Sequence, residues 1–456
     1  GLSGPKSWIT AKLLWDLDEN VDALLQDFCE RCFGEAAGPM REFYDLWETA
    51  WNTQPKSGSQ GYAYIWGPSI SVIAPPGVMD KARECLSRAL LQAKSDKARQ
   101  RIEQIRKTLR VTEYCSFRES VYASLRIDEH LTPRGFAELV CNLNQMCYTT
   151  QALSHYMAEK IRGDNMTFRN GDVYTGHMDS YYCLIASGLA SALARREVAK
   201  TRPASQDALT GALLKRLDGL ASVVTESAEK DPLTQGLAWQ PFSRRVRTYL
   251  GATTLVPRAK KAPTIDGNIG KDEWGGMPLL TGFKVFDGRG KRRTLDKDAE
   301  FQTEVRLGYD DAALYVAYAC REKNLADLVS GRDRRDSDVW HDDSADFTIL
   351  AAGTERKEDF NHYIVNPDGV FYDSKGSANW QGKPVIRTGR DTDSNTWTVE
   401  AAIPWSDFGR KPVSGEVWRA QFARINMEGS KDHLSCWAPT SQGFNNADYL
   451  GVLLFE

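Results

Sequence analysis

Residues 304–318 read Glu304-Val305-Arg306-Leu307-Gly308-Tyr309-Asp310-Asp311-Ala312-Ala313-Leu314-Tyr315-Val316-Ala317-Tyr318. Polar and apolar side chains alternate over 304–309, the period of a strand with one wet face. Asp310-Asp311-Ala312-Ala313 turns the chain. Leu314 to Tyr318 then returns almost wholly apolar, as a strand in the middle of a sheet does. A hairpin of that kind needs partners, and the flanking sequence supplies them. Strand patterns recur at 345–351, 360–366, 397–403, 417–427, 433–438 and 449–455, with turn formers between them. Many short strands at close spacing predict a sandwich or barrel over 264–456.

Upstream of the hairpin the pattern changes. Thr253, Pro257, Lys260, Lys261 and Pro263 mark 251–263 as a polar linker. Before it, residues 1–250 carry the 3.6-residue period of helices. Val21, Leu24, Leu25, Phe28 and Cys32 form one stripe, with Asp18 as its N-cap and Gly34 as its stop. Met40, Phe43, Tyr44, Trp47 and Trp51 form the next, and the short connector 34–38 predicts antiparallel neighbours. Residues 53–77 break the pattern with Pro55, Gly58, Pro75, Pro76 and Gly77. Helical patterns resume at 78–95, 97–128, 132–162, 178–198 and 205–229, with Thr132-Pro133 as a helix start and 163–177 as a loop. The basic run from Arg99 to Arg110 reads as a solvated helix face. The predicted fold class is multidomain α + β. It comprises a mostly α-helical domain over 1–250, a linker over 251–263 and an all-β antiparallel sandwich over 264–456.

The totals exclude some classes of function. A net charge of −3, from 58 basic and 61 acidic residues, gives the whole chain no pull toward a nucleic-acid backbone or an anionic membrane. No apolar run is long enough to span a bilayer. The opening Gly1-Leu2-Ser3-Gly4-Pro5 reads as a processed or expressed piece. Nine cysteines, seven of them in the first half, read as mostly free, buried thiols. Cys29-x-x-Cys32 lies on a predicted helix without a second pair, so packing is the simpler reading than zinc. The six histidines show no metal spacing.

Several pieces of the second half carry a resemblance. Pro263-Thr264-Ile265-Asp266-Gly267 and Glu273-Trp274 open it, and the turn into Leu314-Tyr315-Val316 follows. Val339-Trp340-His341-Asp342-Asp343-Ser344-Ala345-Asp346 comes next. Trp397-Thr398-Val399-Glu400-Ala401-Ala402-Ile403-Pro404-Trp405 and Tyr449-Leu450-Gly451 close the series. The set, in that order, resembles the family 9 carbohydrate-binding modules. The resemblance implies a sandwich that clamps a sugar ring between two aromatic side chains, with polar groups on its hydroxyls. It implies Trp340 as the first aromatic and Asp346 as its carboxylate partner, one methylene shorter than the usual Glu. It implies Arg424 and Ser441 as polar contacts and Phe444 where the family has a second Trp. Ile364 stands at a position often basic in the family. Trp397, Trp405 and Trp437 read as core or rim packing.

A second resemblance lies at the start of the chain. Trp8-Ile9-Thr10-Ala11-Lys12-Leu13-Leu14-Trp15-Asp16, Asp22-Ala23-Leu24-Leu25 and Phe33-Gly34-Glu35-Ala36-Ala37-Gly38-Pro39-Met40 resemble domain of unknown function 4838. That resemblance implies the C-terminal part of a bacterial, glycan-degrading glycoside hydrolase, periplasmic or extracellular. Some of its members act as endo-β-N-acetylglucosaminidases. Its implied partners are a glycan or oligosaccharide and an upstream barrel domain of the same parent protein.

Catalytic residues stay unknown at this point. Glycoside hydrolysis needs two carboxylates, one with a raised pKa, and none of the 61 acidic residues stands out as such a pair. Three readings remain open. The chain is an accessory carbohydrate-binding region, non-catalytic in itself; or it is a glycoside hydrolase with its own carboxylate pair in the helical half; or it carries a structural sandwich with no ligand. One cofactor is suggested. Asp336, Asp338, Asp342 and Asp343 crowd one loop, as the carboxylates of a calcium cage do. Arg332, Arg334 and Arg335 beside them offer the alternative of a charge-balanced loop.

Overall fold

The chain divides into two units whose boundaries do not follow the change from helix to strand. Unit 1 comprises Gly1–Leu125 and Cys141–Met178; unit 2 comprises Arg126–Val140 and Asp179–Glu456. The computed structural model describes residues 4–53, 74, 76–161, 177–201, 203, 205–230, 239–286, 297–354, 359–427, 433–440 and 443–456. The break at 53–77 and the loop at 163–177 fall almost entirely outside the described residues.

Unit 1 is helical. Its first helices are α1 (Gly4–Leu13), α2 (Val21–Phe33) and α3 (Ala37–Asn52). Asn20, not Asp18, caps α2, because its side chain sits three residues before Ala23 and accepts that N–H at 2.9 Å. Gly34 stops the helix at φ +55°, as expected. The buried face is turned by one residue from the expected stripe. Cys29 and Phe33 are buried, whereas Val21 lies in solvent. In α3, Met40, Phe43 and Tyr44 are buried against them and Trp51 is exposed. Next come α4 (Pro76–Gln92) and α5 (Asp96–Ser124), the latter capped by Ser95 on Ala98 N. The helix α6 (Pro133–Tyr156) runs through the boundary at 140–141: its start, where Thr132 accepts from Gly135 N at 3.1 Å, belongs to unit 2, and its end, a π-turn over Met157–Ile161, to unit 1. None of the nine cysteines is in a disulfide.

In unit 2, helices α7 (His177–Thr201), α8 (Gln206–Lys230) and α9 (Trp239–Gly251) precede two sheets. One sheet runs β1 (Thr253–Val256), β13 (Gly451–Phe455), β11 (Val417–Asn426), β6 (Ser344–Leu350), β7 (Asn361–Val365), β8 (Phe371–Lys375). Two more strands, β12 (His433–Cys436) and β3 (Lys284–Phe286), extend it from β11. The other sheet runs β2 (Leu279–Leu280), β4 (Thr303–Tyr309), β5 (Ala313–Arg321), β10 (Thr396–Pro404), β9 (Val385–Asp391). The opening hairpin is thus β4–β5, with β5 central and buried. Tyr318, Phe347, Tyr363 and Phe422 fill the space between the sheets, with Phe347 and Tyr363 stacked at 5.2 Å.

The stretch 251–263 is not simply a linker. Thr253–Val256 are fully buried and pair in parallel with Val452–Phe455, so one pairing of the sandwich is parallel rather than antiparallel. The free edge of β1 is covered by one side chain. Gln206 of α8 donates to Thr253 O at 2.6 Å and accepts from Leu255 N at 3.0 Å, standing in for a neighbouring strand. Helices before the strands therefore belong with the sandwich, since they protect an edge that would otherwise template pairing.

The ordered motif pieces meet at Glu400 of β10. Its Oε2 accepts from Asp266 N (2.9 Å) and Gly267 N (2.7 Å), and its Oε1 from Trp274 Nε1 (2.7 Å). Gly267 has φ +94°, and any Cβ there would stand 2.4 Å from the Thr388 carbonyl oxygen. Only glycine satisfies both the dihedral and the contact. Trp397, Trp405 and Trp437 are buried, as expected.

Candidate sugar-binding cleft

Strand alternation decides which side chains leave the core. Phe347 points between the sheets, so Asp346 lies on the outer face of β6. Its register partner on β7 is Ile364, and Ile364 pairs with Tyr372 on β8. Two residues along, His362 pairs with Ser374 and faces the same way. These side chains floor a cleft of about 450 Å³.

Aromatic groups wall the cleft. Trp340 rises from the turn Val339–His341 and is 38% exposed, while Val339 beneath it is buried and anchors the turn. The indole meets Tyr372 edge-on, at 5.4 Å and 88°. Phe444 lines the cleft and packs on Phe286 at 5.0 Å, over Ala423 and Cys436. The lip is made by Gly376, Ser377, Ala378 and Asn445.

The polar floor is a buried pair. His362 Nε2 lies 2.9 Å from Asp346 Oδ1. With the carboxylate ionised, Nε2 donates, which fixes the tautomer and leaves Oδ2 of Asp346 and Nδ1 of His362 for a ligand. The rings of Phe360 and Tyr372 approach the imidazole edge-on at 6.3 and 6.1 Å and hold it upright.

The expected residues separate into groups. Trp340, Asp346 and Phe444 stand together in the cleft, and Ile364 joins its floor. Ser441 lies outside the described residues. Arg424 does not reach the cleft. It is buried on the core side of β11, donating to Arg321 O at 2.7 Å and to Glu322. Alternation explains this, because Ala423 is opposite Asp346 and shares its face, while Arg424 takes the other. His362, Tyr372, Phe360 and Asn445 were missed. The signal for His362 and Tyr372 was the register of β6, β7 and β8, which spacing within one strand does not reveal.

The acidic loop does not assemble a calcium cage. Asp342 accepts from Gly331 N, Arg332 N and Asn366 Nδ2 at 3.1, 2.9 and 3.0 Å. Asp343 accepts from Val329 N (2.7 Å) and Met427 N (2.8 Å), and burial pushes its carboxyl above the usual range. Asp336 takes Gln381 Nε2 at 2.6 Å, and Asp338 makes no side-chain cap. The carboxylates point to separate N–H donors, and among the described residues no three His, Cys, Asp or Glu gather as a metal site. The residues present do not fit the ion. They brace the loop that presents Trp340.

Residues 265–456 match the family model described as carbohydrate family 9 binding domain-like. Residues 2–45 match domain of unknown function 4838, within unit 1. A family 9 carbohydrate-binding module from Caldicellulosiruptor kristjanssonii, solved with cellotriose, is 17% identical with a TM-score of 0.35. The match covers 44% of this chain and 94% of that one. A family 9 module from the same organism, solved with glucose, gives 17% identity and a TM-score of 0.35, covering 44% and 96%. No curated protein matches the chain. Among the described residues no helix is long and apolar enough to cross a membrane.

Proposed function

We propose that the family 9-like domain binds carbohydrate in this cleft, as the glycan-holding part of a bacterial, glycan-degrading glycoside hydrolase. On this reading the chain is an accessory region without catalysis of its own. It works in the periplasm or outside the cell beside an upstream barrel domain of the same protein. The observation that carries the binding is the half-exposed Trp340 indole over a buried Asp346–His362 floor. An aromatic face packs on the C–H face of a sugar ring, and a carboxylate paired on one oxygen keeps the other for a hydroxyl. The hydrolase context rests on the resemblance of the start of the chain to domain of unknown function 4838, which residues 2–45 match.

Three carboxylates of unit 1 are committed to arginines, which suits an accessory role. Glu113 is held by Arg83 (3.0 Å) and Arg110 (2.7 Å), and Asp45 by Arg41 at 2.8 Å. Arg88 draws the Glu42 carboxyl below its ordinary range. A general acid in a glycosidase requires the opposite shift.

The test is calorimetric titration of the full chain with glucose, cellotriose and an N-acetylglucosamine trimer, with Trp340→Ala in parallel. The full chain is needed because β1 and its cover, Gln206, lie outside 264–456. Saturable binding, weakened roughly tenfold or more by Trp340→Ala (about 1.4 kcal/mol), is expected. Absence of binding across the panel, or binding indifferent to the substitution, sinks the proposal.

A further inference from the structure

The basic run over Arg99–Arg110 is not simply a solvated helix face. Arg99 and Arg101 are used locally, donating to Ala93 O at 2.9 Å and to Cys32 O at 2.8 Å. The rest of the run turns into a separate cleft of about 520 Å³ in unit 1. There Arg106, Lys107 and Arg110 of α5 meet Arg83 of α4 and Lys160 of the π-turn after α6. Cations from three elements converge on one concavity, which a helix that merely solvates its charges does not require.

The charges do not cancel. Five cations line the cleft against two carboxylates, Glu103 and Glu113, and a third carboxylate, Asp80, pairs with Arg83 from beside it. Glu113 binds Arg83 and Arg110 together, at 3.0 and 2.7 Å, which orients both guanidiniums. Arg110 also lies over the Tyr114 ring at 4.9 Å. Arg106 pairs with Glu103 at 2.8 Å and keeps its outer face exposed. Between the charges stands the half-buried Tyr156, over the buried Leu86 and Leu109. Burial raises the Tyr156 hydroxyl, while Lys107, Arg110 and Arg106 pull the other way.

We infer that this cleft is a second ligand site, taking an acidic oligosaccharide that bears carboxylate or sulfate groups. Guanidiniums held in fixed orientation bind such oxyanions through paired, charge-assisted N–H bonds. The half-buried Tyr156 offers an aromatic face of the kind that ring C–H groups pack against. A bare inorganic anion has no use for that face. The choice of a sugar over another ring-bearing anion rests on the glycan reading of the sandwich; the site itself does not.

The experiment titrates the full chain with a sulfated disaccharide, a uronate-containing disaccharide, inorganic sulfate and ATP. It compares wild type, Trp340→Ala and the double variant Arg106→Glu/Lys160→Glu. Both reversed side chains lie at the surface, so the double variant folds, which circular dichroism verifies. One of the acidic disaccharides is expected to bind saturably, more weakly as ionic strength rises. The double variant should lose roughly tenfold or more in affinity, and Trp340→Ala nothing. Loss in Trp340→Ala would move the anion to the sandwich cleft and overturn the second site. Binding of none of the probes, or binding untouched by charge reversal, would overturn it too. Preference for ATP or bare sulfate would overturn the sugar assignment. Failure with neutral sugars in the sandwich cleft is read separately, from cellotriose.

Discussion

Glu400 on the five-stranded sheet and Asp346 on the eight-stranded sheet are both buried carboxylates beside a tryptophan-bearing segment. Their surroundings differ in kind. Glu400 takes three N–H donors on its two oxygens, from Asp266, Gly267 and Trp274, and Trp274 is completely covered. Asp346 is engaged through one oxygen to His362, and Trp340 above the same cleft stands 38% in solvent. A saturated carboxylate holds a fold together; one left with an open lone pair beside an exposed aromatic has capacity for a ligand.

Substituting each carboxylate breaks or sharpens that contrast. Glu400→Ala strands three donors in a buried place and should cost about 3–5 kcal/mol of stability in urea unfolding. A loss under about 1 kcal/mol would mean that Glu400 is not the knot between the opening motif and β10. Asp346→Asn should do the reverse. It leaves the fold within about 1 kcal/mol of wild type and weakens sugar binding roughly tenfold. His362→Gln, which keeps a donor toward Asp346 but alters what reaches the ligand, should fall between wild type and Asp346→Asn. Equal loss of stability in all three variants would erase the distinction between the two sheets.

Much of the fold was legible because strands and helices announce themselves locally. The hairpin 304–318 and the patterns at 345–351, 397–403 and 417–427 reappear as β4–β5, β6, β10 and β11, within about two residues. The strand β8 escaped notice, because Phe371-Tyr372-Asp373-Ser374-Lys375 sits at a sheet edge with both faces half-covered and so lacks a clean alternation. β1 was hidden among linker-like Pro and Lys, since its burial depends on a partner almost two hundred residues away, the β13 strand. For the cleft, Trp340, Asp346 and Phe444 followed from the family resemblance. Arg424, implied by the same resemblance, does not reach the cleft, because a one-residue step along β11 moves a side chain from the outer face to the core. His362 carries no local mark. It becomes visible only when β7 is laid beside β6.

The contrast also has a pH signature. Burial raises the Glu400 carboxyl above its ordinary value, against the pull of Gly267 N, Asp266 N and Trp274. A carboxyl raised in the fold binds more protons folded than unfolded. Its contribution is therefore full below the unfolded pKa and is lost as pH rises through the folded one. Glu400→Gln removes that titration while keeping the size of the side chain. The stability deficit of Glu400→Gln relative to wild type should be largest at acid pH and shrink as pH rises across the carboxylate range. Thermal melts of both proteins from acid to neutral pH measure it. A deficit that grows with pH would mean that hydrogen bonds to the ionised form outweigh burial.

The smallest effect concerns the acidic loop, which looks in sequence more like a site than Asp346 does. Asp342 and Asp343 already spend their oxygens on N–H groups of 329–332, Asn366 and Met427, and Asp338 stands apart without a cap bond. A calcium ion would have to displace those donors and gather carboxylates that now diverge. Adding calcium, or stripping it with a chelator, should therefore leave the melting temperature and sugar affinity unchanged, and Asp338→Asn should stay within about 0.5 kcal/mol of wild type. Asp342→Ala, by contrast, should loosen the turn at 339–341 and weaken sugar binding without touching the core, because Trp340 owes its position to that loop. If calcium instead raised the melting temperature by several degrees, the loop would have to rearrange around the ion. The position of Trp340 would then be a property of the metal rather than of the backbone donors.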